Sequence, residues 1–135
     1  MIAADTSAAV AAALPWHEGH EAAVSALASG KTPLLAHVGI ETYSVLTRLP
    51  ASFRVPAQVA RGFLEETFAL PPIVLSADGH RRLLDLAAAE GIVGGAIYDA
   101  LVGATAQEAG ATLLTRDRRA VATYQLLRVP YELVG

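Results

Sequence analysis

Short apolar runs of strand character alternate with helical segments along nearly the whole chain, with proline, glycine and capping residues at the boundaries. The opening MIAAD reads as a strand ending on an acid, and TSAAVAAAL as a helix capped by Thr6 or Ser7 and ended by Pro15. HEGHEAAVSALASG reads as a second helix closed at Gly30. TPLLAHV is a short buried strand, followed by a helix from about His37 to Leu49, stopped by Pro50, and another from near Pro56 to Phe68. PPIVLS is an apolar strand. Ser76 caps a helix that runs through Glu90 to Gly91. After GIVGG, a helix spans Ala96–Glu108 and ends by Gly110. ATLLT, DRRAVATY and YELV then read as strand, short helix and strand. Strands joined through helices must pair in parallel and be covered on both faces. The expected fold is therefore α/β, a central parallel β-sheet flanked by helices, in one domain over residues 1–135.

Composition narrows the function. The chain has no cysteine, which excludes disulfides and thiolate metal sites and fits a reducing cytoplasm. No charge-free apolar stretch reaches the length of a membrane span. The alanine-rich start lacks a basic region and is broken by Asp5 and Pro15, so no targeting segment is expected. With a formal net charge of −3, any nucleic-acid binding must come from a local basic patch and a metal.

The informative residues are acids in apolar surroundings. Asp5 ends the first strand and Asp117 follows the strand ATLLT, and strand C-termini of parallel sheets line the ligand crevice. Glu41 falls on the apolar stripe of its helix, three residues after Val38 and four before Val45. Asp99 is the first charge of a helix that is small or apolar on every face, and is expected to be buried. Buried carboxylates are costly without a compensating cation, and the chain has one lysine, Lys31. A hard divalent ion, Mg²⁺ or Mn²⁺, matches an all-carboxylate site. Taken singly, each acid has another explanation: Asp5 or Asp117 as a turn or cap, Glu41 as an exposed residue, Asp99 as a first-turn helix acid.

IAADTSAAV, IETYSVLTRL, IYDALVGATA and LLTRDRRAV together resemble, in order and spacing, the four acidic motifs of PIN-domain ribonucleases, most closely the VapC toxins of toxin–antitoxin pairs. The resemblance implies that Asp5, Glu41, Asp99 and Asp117 bind metal and that Thr115 supports the site. It also implies Mg²⁺ or Mn²⁺ dependence, endonucleolytic RNA cleavage leaving a 5′-phosphate, homodimerisation and inhibition by a VapB-like antitoxin. Arg118 and Arg119 stand where some members carry a further acid, so one protein-bound ion is expected, with a second arriving with substrate.

Arg116, Arg118 and Arg119 flank Asp117 and either hold RNA phosphates or form a plain solvated surface. Thr6 is read as a cap rather than a site residue. Trp16 is read as a packing anchor between two helices, with base stacking as the alternative. His17, His20 and Glu21 have helical spacing but no further zinc ligand, and read as a polar face. Two rival functions stand beside the ribonuclease. A receiver-like phosphoacceptor domain would need an acid pair after the first strand and a late lysine, whereas Asp5 stands alone and Lys31 is early. A non-catalytic PIN-like binding module would keep the acids as scaffold.

Overall fold

The computed structural model describes residues 1–27 and 31–135, so the expected helix end at Gly30 lies outside the described residues. The described strands are β1 (Ile2–Ala4), β2 (Pro33–Leu35), β3 (Ala69–Ile73), β4 (Thr112–Thr115) and β5 (Tyr131–Leu133). All pairings are parallel. One ladder has the order β1-β4-β5 and a second joins β2 to β3. β2 lies beside β1 with no ladder between them, so the expected central sheet is realised as two parallel ladders.

The helices are α1 (Thr6–Ala13), α2 (His20–Ala26), α3 (Ala36–Thr47), α4 (Ala57–Thr67), α5 (Ala77–Glu90), α6 (Ala96–Glu108) and α7 (Val121–Leu126). Successive strand residues face opposite ways, yet Ala3 and Ala4 of β1 and Leu113 and Leu114 of β4 are all buried. Both faces of this ladder are therefore covered, as a parallel sheet requires. Small residues set how closely the layers approach. Ala8, Ala9, Ala11 and Ala12 of α1 are buried, as are Ala100 and Ala106 of α6. At Gly103 a Cβ would meet Leu127 at 2.8 Å and Tyr124 at 3.3 Å. The missing side chain thus lets α7 press against α6 and carries Tyr124 inward.

Local signals fix several boundaries. The Ser76 hydroxyl accepts from the Gly79 N–H at 2.9 Å and starts α5. Gly91 ends α5 with φ +70°, a conformation that favours glycine. Three expectations are corrected. The cap of α1 is Asp5, not Thr6 or Ser7: the Asp5 carboxylate accepts from the Ala8 N–H at 3.1 Å. The strand read as PPIVLS begins earlier, at Ala69, and is largely exposed, which suits a proline-bearing edge strand. The helix read from Asp117 starts only at Val121, leaving Arg118 and Arg119 in the preceding turn. No helix among the described residues is long and apolar enough to cross a membrane.

Candidate active site

The register of β1 on β4 pairs Ala4 with Leu114, and the Asp5 N–H extends that ladder by donating to the Leu114 carbonyl at 2.9 Å. Asp5 and the end of β4 therefore emerge side by side at the C-terminal edge, as the topology of a parallel sheet demands. Asp117 follows β4 by two residues, and the Thr115 hydroxyl holds that turn by accepting from the Asp117 N–H at 3.0 Å. Glu41 reaches the same place from α3, and Asp99 from the first turn of α6. All four acids line one open cleft of about 440 Å³, with Thr6, Ser7, His17, Arg116, Arg119 and Tyr124. Thr115 lies beneath it, fully buried.

The acids are held very differently. Asp5 is 4% exposed and accepts three hydrogen bonds. Its Oδ1 takes the Ser7 hydroxyl at 2.6 Å and the Ala8 N–H, and its Oδ2 takes the buried Tyr124 hydroxyl at 2.9 Å. Burial raises the Asp5 pKa, and these donors together with Thr115 oppose the rise. Burial likewise pushes the Tyr124 phenol far up, with the negative charge of Asp5 adding to it, so Tyr124 remains a donor. Ser7 also accepts from the Arg116 N–H at 2.7 Å, which ties the start of α1 to the end of β4. Glu41 accepts from the Thr6 hydroxyl, so Thr6 serves the cleft rather than the helix cap. Asp117 Oδ1 accepts from the Arg119 backbone N–H at 3.0 Å and faces the Arg119 Nε at 3.3 Å.

Asp99 is the exception. It is half-buried rather than buried, and among the described residues no donor reaches its carboxylate. Its pKa is raised by burial first, then by the charges of Asp117, Asp5 and Glu41. One cation answers this charge, Arg119, whose side chain is 94% exposed.

A sequence model of the PIN domain matches residues 2–126. The chain belongs to the PIN domain family. Among curated proteins, Ribonuclease VapC40 of Mycobacterium tuberculosis is 53% identical over 134 residues, 99% of each chain. Ribonuclease VapC27 of the same species is 42% identical over 128 residues, 95% of this chain and 93% of that protein.

In this PIN domain four carboxylates dominate the cleft lining, beside one imidazole, His17, the clamped Arg116 and the exposed Arg119, and an acidic oxygen set of this kind fits a hard divalent cation. Among the described residues no three acids or histidines lie close enough together to hold an ion between them. The cleft is thus suited to a hydrated ion that keeps several waters and uses one or two carboxylates, and not to a dry protein cage. Among the described residues the cleft oxygens without protein donors, those of Asp99, the Oδ2 of Asp117 and the Oε2 of Glu41, are the ones open to it.

The arginines separate. The Arg116 side chain is 17% exposed, donates from Nε to the Val134 carbonyl at 3.1 Å and lies 4.0 Å from Glu18. A Cβ on Gly19 would fall 2.2 Å from its guanidinium, so that glycine makes room for it. Arg116 is a structural clamp on the C-terminal segment as well as part of the cleft wall, whereas Arg118 and Arg119 are exposed. His17 and His20 turn Nδ1 to backbone groups, at Gly19 and Ala11, and form no zinc cluster among the described residues. Ser7, Tyr124 and His17 were not anticipated as site residues. Ser7 had a signal, a hydroxyl two residues after Asp5. Tyr124 had none, because only tertiary packing brings it to Asp5.

Proposed function

We propose that this PIN domain is a divalent-metal-dependent endoribonuclease and the toxin of a toxin–antitoxin pair. It hydrolyses RNA phosphodiesters with water as nucleophile and leaves a 5′-phosphate. The observation that carries the reading is the convergence of Asp5, Glu41, Asp99 and Asp117 on one open, solvent-accessible cleft at the strand ends. The two mycobacterial relatives, both called ribonucleases, support it. Among the described residues the cleft lining includes no lysine, which disfavours the receiver-like alternative.

The ion, Mg²⁺ or Mn²⁺, supplies neutralisation of the phosphate charge and acidification of a water. The chain supplies position. Tyr124, Ser7 and the Ala8 N–H hold Asp5 in one orientation, Thr6 holds Glu41, and Thr115 shapes the turn that presents Asp117. Arg119 and Arg118 offer planar donors to phosphates at the rim. The same reading includes a VapB-like antitoxin that covers the cleft, a homodimer, and action in the cytoplasm.

The test is purified, antitoxin-free protein incubated with total RNA in Mg²⁺, in Mn²⁺ and in excess EDTA. Cleavage with either ion and none in EDTA is the expected outcome. Undiminished cleavage in EDTA removes the metal mechanism, and no cleavage under any condition removes the enzyme.

A further inference from the structure

Beside the acidic cleft, two large aromatic side chains stand in water. Trp16 lies in the turn between α1 and α2 and is 55% exposed; Phe53 lies between α3 and α4 and is 49% exposed. Their ring centroids are 4.9 Å apart at 46°, so each covers only part of the other. Trp16 is therefore not the buried anchor between helices that its sequence context suggested. Leaving this much aromatic surface wet forgoes burial that a core position would supply.

The pair is continuous with the site. His17 lines the cleft, and its ring lies 6.2 Å from that of Trp16. The His17 Nδ1 accepts from the Gly19 N–H at 2.9 Å, so in the neutral ring the proton sits on Nε2, which remains a donor. The surroundings carry the complementary charge. Residues 42–58 include Arg48 and Arg54 and no acid, in a chain whose net charge is −3. Arg48 and Arg54 are exposed and flank Phe53 in sequence, and Arg54 is steadied by donating to the Leu49 carbonyl at 2.9 Å. Exposed rings interleaved with arginines beside a phosphate-cleaving cleft are what an unstacked nucleobase and its backbone require.

We infer that Trp16 and Phe53 form a stacking subsite for an unpaired base of a single-stranded RNA whose neighbouring phosphate enters the acidic cleft past His17. This rests on the ribonuclease reading above, and the ring pair asks for an unpaired base because a base held within a duplex exposes only its edges.

Trp16 is the chain's single tryptophan, so its fluorescence reports on the subsite directly. The probes are a uridine 12-mer and an abasic ribose-phosphate oligomer of equal length, titrated in EDTA to prevent cleavage. Binding is followed in parallel by anisotropy of end-labelled oligomers. The uridine oligomer is expected to quench Trp16 saturably, and the abasic one to leave its emission unchanged. Trp16→Leu should weaken uridine-oligomer binding about 10-fold and Trp16→Phe by less than about 3-fold, since a ring still stacks. Phe53→Leu, a second and independent variant, should reduce both quenching and affinity. The inference is overturned if the uridine oligomer fails to bind, if it binds without quenching, if the abasic oligomer quenches equally, or if Trp16→Leu binds like the parent. An apolar, acidic peptide that quenches where RNA does not would assign the rings to a protein partner instead. Failure of the subsite is separable from failure of the enzyme. Metal-dependent cleavage that persists in Trp16→Leu with unchanged KM leaves the ribonuclease and removes the subsite, while quenching by RNA without cleavage does the reverse.

Discussion

Asp99→Asn should stabilise the metal-free protein at low ionic strength. Asp99 is half-buried, no hydrogen bond is lost on replacement, and its proton affinity is raised by burial and by Asp117, Asp5 and Glu41. Like charges facing one another at separations on the order of 9 Å, the scale of a cleft of about 440 Å³, repel by about 0.5–1 kcal/mol for an effective dielectric of about 40–80. Three such neighbours amount to about 1.5–3 kcal/mol in dilute buffer. Asparagine forgoes the favourable interaction of a carboxylate with the start of α6, about 0.3–1 kcal/mol. The net gain is about 0.5–2.5 kcal/mol, or about 2–8 °C in Tm for a domain of this size. At 0.1 M salt the Debye length is about 10 Å, comparable to the cleft width, and most of the gain should disappear by 0.5 M. The assay is a thermal melt of parent and variant in EDTA at low and high salt, repeated with Mg²⁺. Mg²⁺ should raise the parent's Tm more than the variant's, because it binds the folded form through the charge that was removed. A lower Tm for the variant in dilute buffer, or a gain that salt does not change, would refute the reasoning.

The same charge sets a pH dependence. Because the Asp5 and Asp99 pKa values are raised above the ordinary 3.8, the folded form binds more protons than the unfolded form just above that value. Their contribution to stability in EDTA therefore falls as pH rises from 3.8 through the raised values, and the advantage of Asp99→Asn over the parent should vanish as pH drops towards 3.8, as melts across that range will show. Asp5→Ala should behave oppositely to Asp99→Asn: it removes a cap worth about 1 kcal/mol and strands the buried Tyr124 hydroxyl, for a loss of about 1–3 kcal/mol in urea unfolding, whereas Asp5→Asn keeps the cap and should cost less. Replacing Arg118 and Arg119 with glutamine should lower RNA affinity and flatten its logarithmic salt dependence by about 1–2, leaving Tm unchanged at about 0.5 M salt and lowering it slightly in dilute buffer, where the Arg119 charge beside Asp117 and Asp99 is lost; Arg116 is omitted because its clamp on Val134 would confound the melt.

What the sequence discloses about this domain is what local chemistry decides. Ser76 and Gly91 announce the two ends of α5 because a cap and a left-handed glycine act within a few residues. Asp5 and Asp117 are legible because a parallel sheet puts strand ends on one edge, whichever strands are adjacent. The roles of neighbouring hydroxyls are not legible in this way. Asp5, Thr6 and Ser7 are all competent caps, and the choice falls to Asp5 only because Glu41 on α3 takes the Thr6 hydroxyl while the end of β4 engages Ser7. Tyr124 comes to Asp5 through the gap at Gly103, a contact between residues far apart in the chain. Trp16 misleads because its type predicts burial, while the turn that carries it faces water.

The unequal treatment of the acids bears on how such a cleft works. An ionised carboxylate has about four lone-pair positions, and Asp5 gives three of them to Ser7, Ala8 and Tyr124. It is fixed in place before anything binds, and little of its accepting capacity remains. Asp99, the Oδ2 of Asp117 and the Oε2 of Glu41 have given none to the protein among the described residues, and Asp99 carries the electrostatic cost of its neighbours. A cation entering the cleft therefore gains most from the acids the fold has left unsatisfied, and least from the one it has already satisfied. On the proposed reading Asp5 would act mainly through its charge and its rigid position, while Asp99, Asp117 and Glu41 would supply the free oxygens that meet an ion. That division fits the finding that the four acids share one cleft while, among the described residues, no three lie close enough to enclose an ion: held together without a cation they would repel, and the fold limits that repulsion by spacing them around an open cleft.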